Sequence, residues 1–203
     1  MIVYGSSLSP FVRKTRVFIA EKGLTAEYKP LPPHAPLPEF RACSPLGKIP
    51  AFVDGDFHIS DSSAICHYLE RKHPEPALFP ASPADFARTV WYEEFADISL
   101  IGAAGKVFFN LVVKKLMQIG EPDMAAVEGA LSTELPPLFT YLEDRVDGPY
   151  LVGDRLTLAD IAIASPFVNL QLAGHPLDAA RWPKLAGWLG PILARPSFVN
   201  AKD

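Results

Sequence analysis

The sequence has 203 residues, 49% of them hydrophobic and 21% charged, with a formal net charge of -4. That length and apolar content can bury one large core or two small ones, and an acidic balance without a basic block excludes nucleic acid as the main partner. No run of about 18 apolar residues is present, so neither a transmembrane helix nor membrane partnership is expected.

Met1-Ile2-Val3-Tyr4 enters a strand pattern directly, without a basic and apolar leader, so no signal peptide is expected. Residues 1–79 continue as alternating short strands and helices. Ser9 is placed to cap a helix with Pro10 in its favoured first position, and Gly23 is placed to end it. Residues 26–31 alternate as a second strand. Pro30, Pro32, Pro33, Pro36 and Pro38 then oppose regular structure, and a short helix is expected at 39–42. Ala51-Phe52-Val53 and Phe57-His58-Ile59 flank Asp54-Gly55-Asp56 as a hairpin, and Ser62 opens a third helix that ends at His73-Pro74. Residues 74–83 hold four prolines and read as a linker.

Beyond the linker, strand signals vanish. Helical periodicity covers 84–118 with a weak point at Gly102 and Gly105, then 124–146 with a kink or break at Pro136-Pro137, then 158–172 and 182–194. Thr157-x-x-Asp160 is a capping-box variant, with Leu156 and Ile161 as its hydrophobic staple. The expected architecture is an α/β thioredoxin-like domain at 1–79, followed by an all-α domain at 84–203. Cys43 and Cys66 form no CxxC pair and fit a reducing, cytoplasmic compartment. The five histidines show no paired metal spacing, so no metal is expected.

Three short motifs carry chemistry. Ser9 sits where a helix leaves unpaired N–H donors and partial positive charge, which would depress the pKa of a bound thiol; Arg13, Lys14 and Arg16 add to that field. Ser6 and Ser7 compete for the same role, and a capping serine needs no other function. Ile49-Pro50 before a strand, if cis, leaves the Ile49 backbone free to pair with an extended ligand, and Lys48 beside it suits a carboxylate. Asp61-Ser62 supplies a carboxylate for an amine and a helix N-terminus for an α-carboxylate, with Ser62 read as the cap. Together they suit a small, extended, anionic peptide bearing a thiol, for which glutathione is the evident candidate.

These motifs, in this order and spacing, resemble the soluble glutathione S-transferase family, and its serine-type classes in particular. Ser9-Pro10-Phe11-Val12 is similar to a thioredoxin-like redox motif without its cysteines. Pro45-Leu46-Gly47-Lys48-Ile49-Pro50 is similar to the family segment before the cis proline, and Asp61-Ser62-Ser63-Ala64-Ile65 to its γ-glutamyl motif, with Asp where Glu is commoner. The resemblance implies conjugation of glutathione thiolate to an apolar electrophile. Ser9 would stabilise the thiolate, while Lys48, Ile49, Pro50, Asp61 and Ser62 bind glutathione. It also implies a detoxifying homodimer, and an electrophile site walled by part of the set Trp91, Tyr92, Phe95, Phe108 and Phe109. A glutathione-dependent isomerase, a disulfide or peroxide reductase, and a non-catalytic ligand carrier or interaction module are the alternatives on the same fold.

Overall fold

The computed structural model describes residues 1–31 and 38–202. They divide into Met1–Phe79 together with the segment from Arg195 on, and Pro80–Ala194. The second division differs from the 84–203 expected from sequence, because the segment from Arg195 on packs with the first unit.

The described residues of the first unit build a mixed four-stranded sheet in the order β2-β1-β3-β4. Strand β1 (Ile2–Gly5) pairs parallel with β2 (Glu27–Pro30) and antiparallel with β3 (Ala51–Asp54), which forms a hairpin with β4 (Phe57–Ser60). Pro30 ends β2, within the strand expected at 26–31; an edge strand tolerates a residue without an N–H. Pro32, Pro33 and Pro36 lie outside the described residues, and Pro38 begins α2 (Pro38–Cys43). Alternation sends Tyr4 and Ala51 to one face, where they bury against Phe40 and Cys43 of α2. Phe52 faces the other way and meets Tyr68 of α3 (Ser62–Lys72), which packs beside α1 (Pro10–Glu21).

Both ends of α1 are built by local sequence. Pro10 takes the first turn, and the C-terminus closes with paired bonds from Gly23 N–H to Ala20 O and Leu24 N–H to Ile19 O. Helix α1 buries Arg13, Lys14 and Thr15 as well as its apolar stripe. Lys14 turns to Ser63 at the start of α3 and Arg13 to Ser7 O, while the segment from Arg195 on, with helix α8 (Pro196–Val199), also lies against α1. Buried Phe198 and Ala201 anchor that segment, and Arg195 grips Glu21 through two 2.7 Å hydrogen bonds.

The second unit is helical: α4 (Pro83–Met117), α5 (residues 124–143), α6 (Leu158–Leu172) and α7 (Pro183–Leu193). Helix α4 does not break at Gly102 or Gly105. It passes instead through two π-helical turns, Phe95–Leu100 and Phe109–Val113. Helix α5 likewise runs on through Pro136-Pro137, because the π-helical turn Ala130–Glu134 lies just ahead of the two prolines and widens the spiral where their rings would meet the preceding carbonyls. By length and composition alone α4 is apolar enough to cross a membrane, with Asp97 and Lys106 interrupting the run; a core helix passes the same test, so the expectation of no transmembrane helix is not overturned. Within this unit α4 packs along α6, which is buried on all sides from Leu158 to Leu170, as a core helix should be.

The Thr157–Asp160 cap holds that core helix. Asp160 is fully buried and accepts from Thr157 N–H (2.9 Å), Thr157 hydroxyl (3.1 Å), Leu151 N–H (2.8 Å) and Trp188 Nε1 (3.3 Å). Burial pushes its carboxyl pKa up, and the four hydrogen bonds oppose that rise.

Candidate functional site

One cleft of ≈ 570 Å³ gathers most of the residues singled out from sequence. Ser9, Phe11, Leu46, Gly47, Lys48, Ile49, Ser60, Asp61 and Ser62 line it, all from the first unit. Pro50 is buried and joined to Ile49 by a cis peptide. Ser6 and Ser7 are not among the lining residues, so of the three rival serines it is Ser9 that faces the cleft.

The β1–α1 loop is aimed by close packing. Gly5 ends β1 directly against Val12, and a Cβ there would lie 2.4 Å from Val12 Cγ2. The turn then closes with Ser9 N–H on Ser6 O at 2.9 Å. Ser9 caps α1, and its Oγ accepts weakly from Val12 N–H at 3.4 Å. Its hydroxyl proton is therefore available to a ligand. Arg13 N–H goes to Ser9 O and Pro10 has no N–H, so Phe11 N–H is the first-turn amide that intrahelical bonding does not reach.

A second helix N-terminus opens on the same cleft. Sequence placed Ser62 as its cap; the structure places Asp61 there and Ser62 in the first turn. Asp61 Oδ1 accepts from Ser63 N–H at 2.9 Å and Ala64 N–H at 3.0 Å. Both residue types cap helices, but the carboxylate also meets the positive helix end, which decides the choice. The cap comes with an unusual backbone: Asp61 has φ 87° and ψ 126°, a region that side-chain-bearing residues avoid. Strain of that kind persists where surrounding structure enforces it.

The electrostatics of the cleft favour an anion. Two helix N-termini point at it, and two buried cations sit behind them. Lys14 Nζ donates to Ser63 Oγ at 3.3 Å, linking α1 to the start of α3. Arg13 Nη2 donates to Ser7 O at 3.0 Å, and burial followed by the nearby Arg16 charge pushes the guanidinium down to about 10, still cationic at neutral pH. Lys48 stands exposed on the rim.

Sequence reasoning missed a further cation and two apolar walls. A Cβ added to Gly47 would lie 3.0 Å from Arg41 Nη1, so the guanidinium packs on the cleft-lining backbone; the φ of 68° is what favours glycine there. Lys48-Ile49-Pro50 drew attention to the loop, but nothing in the sequence tied Arg41 to it. Phe11 and the 80% exposed Leu46 supply apolar surface beside Ser9 and Lys48. The aromatic residues of α4 belong to the second unit. Tyr92 and Phe108 are buried there, while Trp91 stacks on Phe95 and both contact Tyr141. Among the described residues, no group of His, Cys, Asp and Glu has the arrangement to hold a metal ion.

Comparison with known proteins gives this geometry a context. Residues 3–77 match the family model for the glutathione S-transferase N-terminal domain, and residues 118–190 the model for its C-terminal domain. The chain is 34% identical to glutathione S-transferase 3 of Zea mays, an alignment that covers 97% of this chain and 90% of that protein. It resembles the crystal structure of a glutathione S-transferase from Rhodospirillum rubrum F11 with a TM-score of 0.91 and 28% identity, covering 98% of this chain and 90% of that one. It also resembles glutathione S-transferase-I bound with the ligand lactoylglutathione, with a TM-score of 0.88 and 25% identity, covering 99% and 97%.

Proposed function

The chain belongs to the glutathione S-transferase family, and from that premise we propose that the Ser9 cleft activates glutathione as a thiolate and joins it to a small apolar electrophile. The observation that carries this reading is the meeting of Ser9, Ile49 and Asp61 on one cleft, with a helix N-terminus opening there on each side.

The Ser9 hydroxyl donates to the thiolate sulfur, and Phe11 N–H adds a second dipole. Both interact more strongly with the anion than with the thiol, so they lower the pKa of the bound thiol. The S–H proton leaves to solvent. The sulfur lone pair then forms the S–C bond, while the electrophile expels its leaving group or accepts the electron pair across a double bond. Ile49 pairs with the cysteinyl backbone in strand fashion, with Pro50 holding its presentation. Asp61 attracts the γ-glutamyl ammonium. The Ser62 amide and hydroxyl take the γ-glutamyl carboxylate, as a helix N-terminus is built to do. Lys48 and Arg41 are the cations for the glycyl carboxylate. Phe11 and Leu46 offer apolar surface for the electrophile. No step needs a metal. A relative bound with lactoylglutathione supports a fold that accepts a glutathione conjugate. A cytoplasmic homodimer working in detoxification completes the reading.

Calorimetric titration with glutathione, then a rate screen over an aryl halide, an unsaturated carbonyl, a hydroperoxide and a disulfide, tests it. Binding with turnover of the first two is expected. Turnover of hydroperoxide or disulfide alone would replace conjugation with reduction, and no binding would remove the assignment. Light scattering reads the oligomeric state.

A further inference from the structure

Behind the cleft, Tyr28 of β2 and Arg13 of α1 fasten the loop that presents Ser9, and the chain of contacts runs through Arg16 to the segment from Arg195 on. Tyr28, on the edge strand β2, donates its hydroxyl to Gly5 O at 3.2 Å. Burial raises the pKa of that phenol, opposed first by the Arg16 charge. Tyr28 therefore holds Gly5, where β1 passes into the loop, and Arg13 Nη2 holds Ser7 O from the helix side.

Arg16 lies over the Tyr28 ring, its guanidinium carbon 4.2 Å from the centroid. That guanidinium donates Nη1 to Ala201 O at 3.2 Å and Nη2 to Asn200 O at 3.1 Å. The same segment is pinned again further along α1, where Arg195 and Ser197 both grip Glu21 at its end. Two fixed points on one helix make the segment a strap. Its far end sets the plane of Arg16, and Arg16 sets the Tyr28 ring.

We propose that Arg16 and Tyr28 are positioning residues for Ser9, and that the segment from Arg195 on is the strap that holds them. The inference rests on the assignment of Ser9 as the group that meets the thiolate. A hydroxyl stabilises a thiolate only at hydrogen-bond distance, and a shift of ~1 Å in a reacting geometry can cost ~100-fold in rate. Neither residue lines the cleft, so neither contributes to glutathione binding directly.

The test uses the full chain with Tyr28→Phe, Arg16→Gln, Arg16→Lys and Arg195→Ala, and Ser9→Ala as the reference. Tyr28→Phe is the decisive variant, because it keeps the ring and removes only the hydroxyl. The readouts are the pKa of the bound thiol, from thiolate ultraviolet absorbance, and the split between kcat and the glutathione KM. Tyr28→Phe and Arg16→Gln are expected to raise the bound-thiol pKa and lower kcat, with the glutathione KM within about twofold of wild type; Arg16→Lys should restore part of the loss and Arg195→Ala should shift both values the same way. A lowered melting temperature with wild-type thiol pKa and kcat would reduce these residues to a structural role and overturn the proposal. If Ser9→Ala moves the thiol pKa while the strap variants do not, the strap falls and Ser9 stands. If Ser9→Ala leaves the thiol pKa unchanged, the Ser9 assignment falls and takes the strap with it.

Discussion

Asp61 performs two tasks that substitution can separate. Its carboxylate caps α3 through two hydrogen bonds, and it is the charge proposed to meet the γ-glutamyl amine. It does so at φ 87°, where a Cβ costs about 1–3 kcal/mol. Asp61→Asn keeps an acceptor for the cap and tolerates the backbone, but removes the charge. Only the helix-dipole contribution, about 0.3–1 kcal/mol, should leave the fold. Glutathione affinity should fall by the value of a charge-assisted hydrogen bond, about 1.5–3 kcal/mol, or roughly 10- to 150-fold in Kd. Asp61→Ala keeps the strain and loses the cap, so stability falls by about 1–2 kcal/mol, roughly 2–8 °C in melting temperature for a chain of this size. Asp61→Gly sheds the strain and loses little capping, so its stability should equal or exceed wild type while its affinity falls like the others. Calorimetric titration gives the affinities and thermal melts the stabilities. Wild-type glutathione affinity in Asp61→Asn would refute the amine contact, and a strongly destabilised Asp61→Gly would refute the strained backbone.

Ser9→Ala should raise the bound-thiol pKa and lower kcat with little change in glutathione affinity, yet leave residual turnover from the helix end and Phe11 N–H; wild-type values would exclude Ser9. The Glu21 carboxyl experiences burial, which raises its pKa, but Arg195 and Ser197 outweigh that and hold it below the ordinary 4.5. With the folded pKa depressed, the stabilisation is fully present above about 4.5 and is lost as pH falls through the folded value. The stability gap between wild type and Arg195→Ala, read by denaturant titration, should therefore close in acid; a gap independent of pH would contradict the clamp. Asp160→Asn leaves two of four buried donors facing an NH₂ group and should cost about 2–6 kcal/mol in urea unfolding, and a loss under 1 kcal/mol would contradict the buried cap.

Elements punctuated by local chemistry were legible in the sequence. Ser9-Pro10 and Gly23 bound α1, Gly55 turned the hairpin, and Thr157 with Asp160 marked the start of the core helix. The gathering of Ser9, Ile49 and Asp61 was legible because each motif opens an element, and the openings share one edge of this sheet. The exchange of cap between Ser62 and Asp61 was not, since both residue types cap and a positive φ leaves no trace in a side chain that is not glycine. The π-helical turns were hidden for a related reason: an i→i+5 turn moves a helical stripe by one position, which periodicity reads as noise. Arg195 and Glu21 lie 174 positions apart, and neither residue signals a partner. Arg41 against Gly47 is equally silent, because an exposed arginine on a short helix has no pattern of its own.

The division of the chain has a consequence for its synthesis. The helical unit is inserted between Phe79 and Arg195, so the first unit is discontinuous in sequence. A ribosome delivers the sheet early, but the outer side of α1 stays uncovered until Arg195, Phe198 and Ala201 emerge. At ~5–20 residues per second, that interval is on the order of ten seconds. Throughout it, the hydrocarbon around Arg16 faces water, and the nascent chain carries a sticky flank until the stretch from Arg195 on covers it.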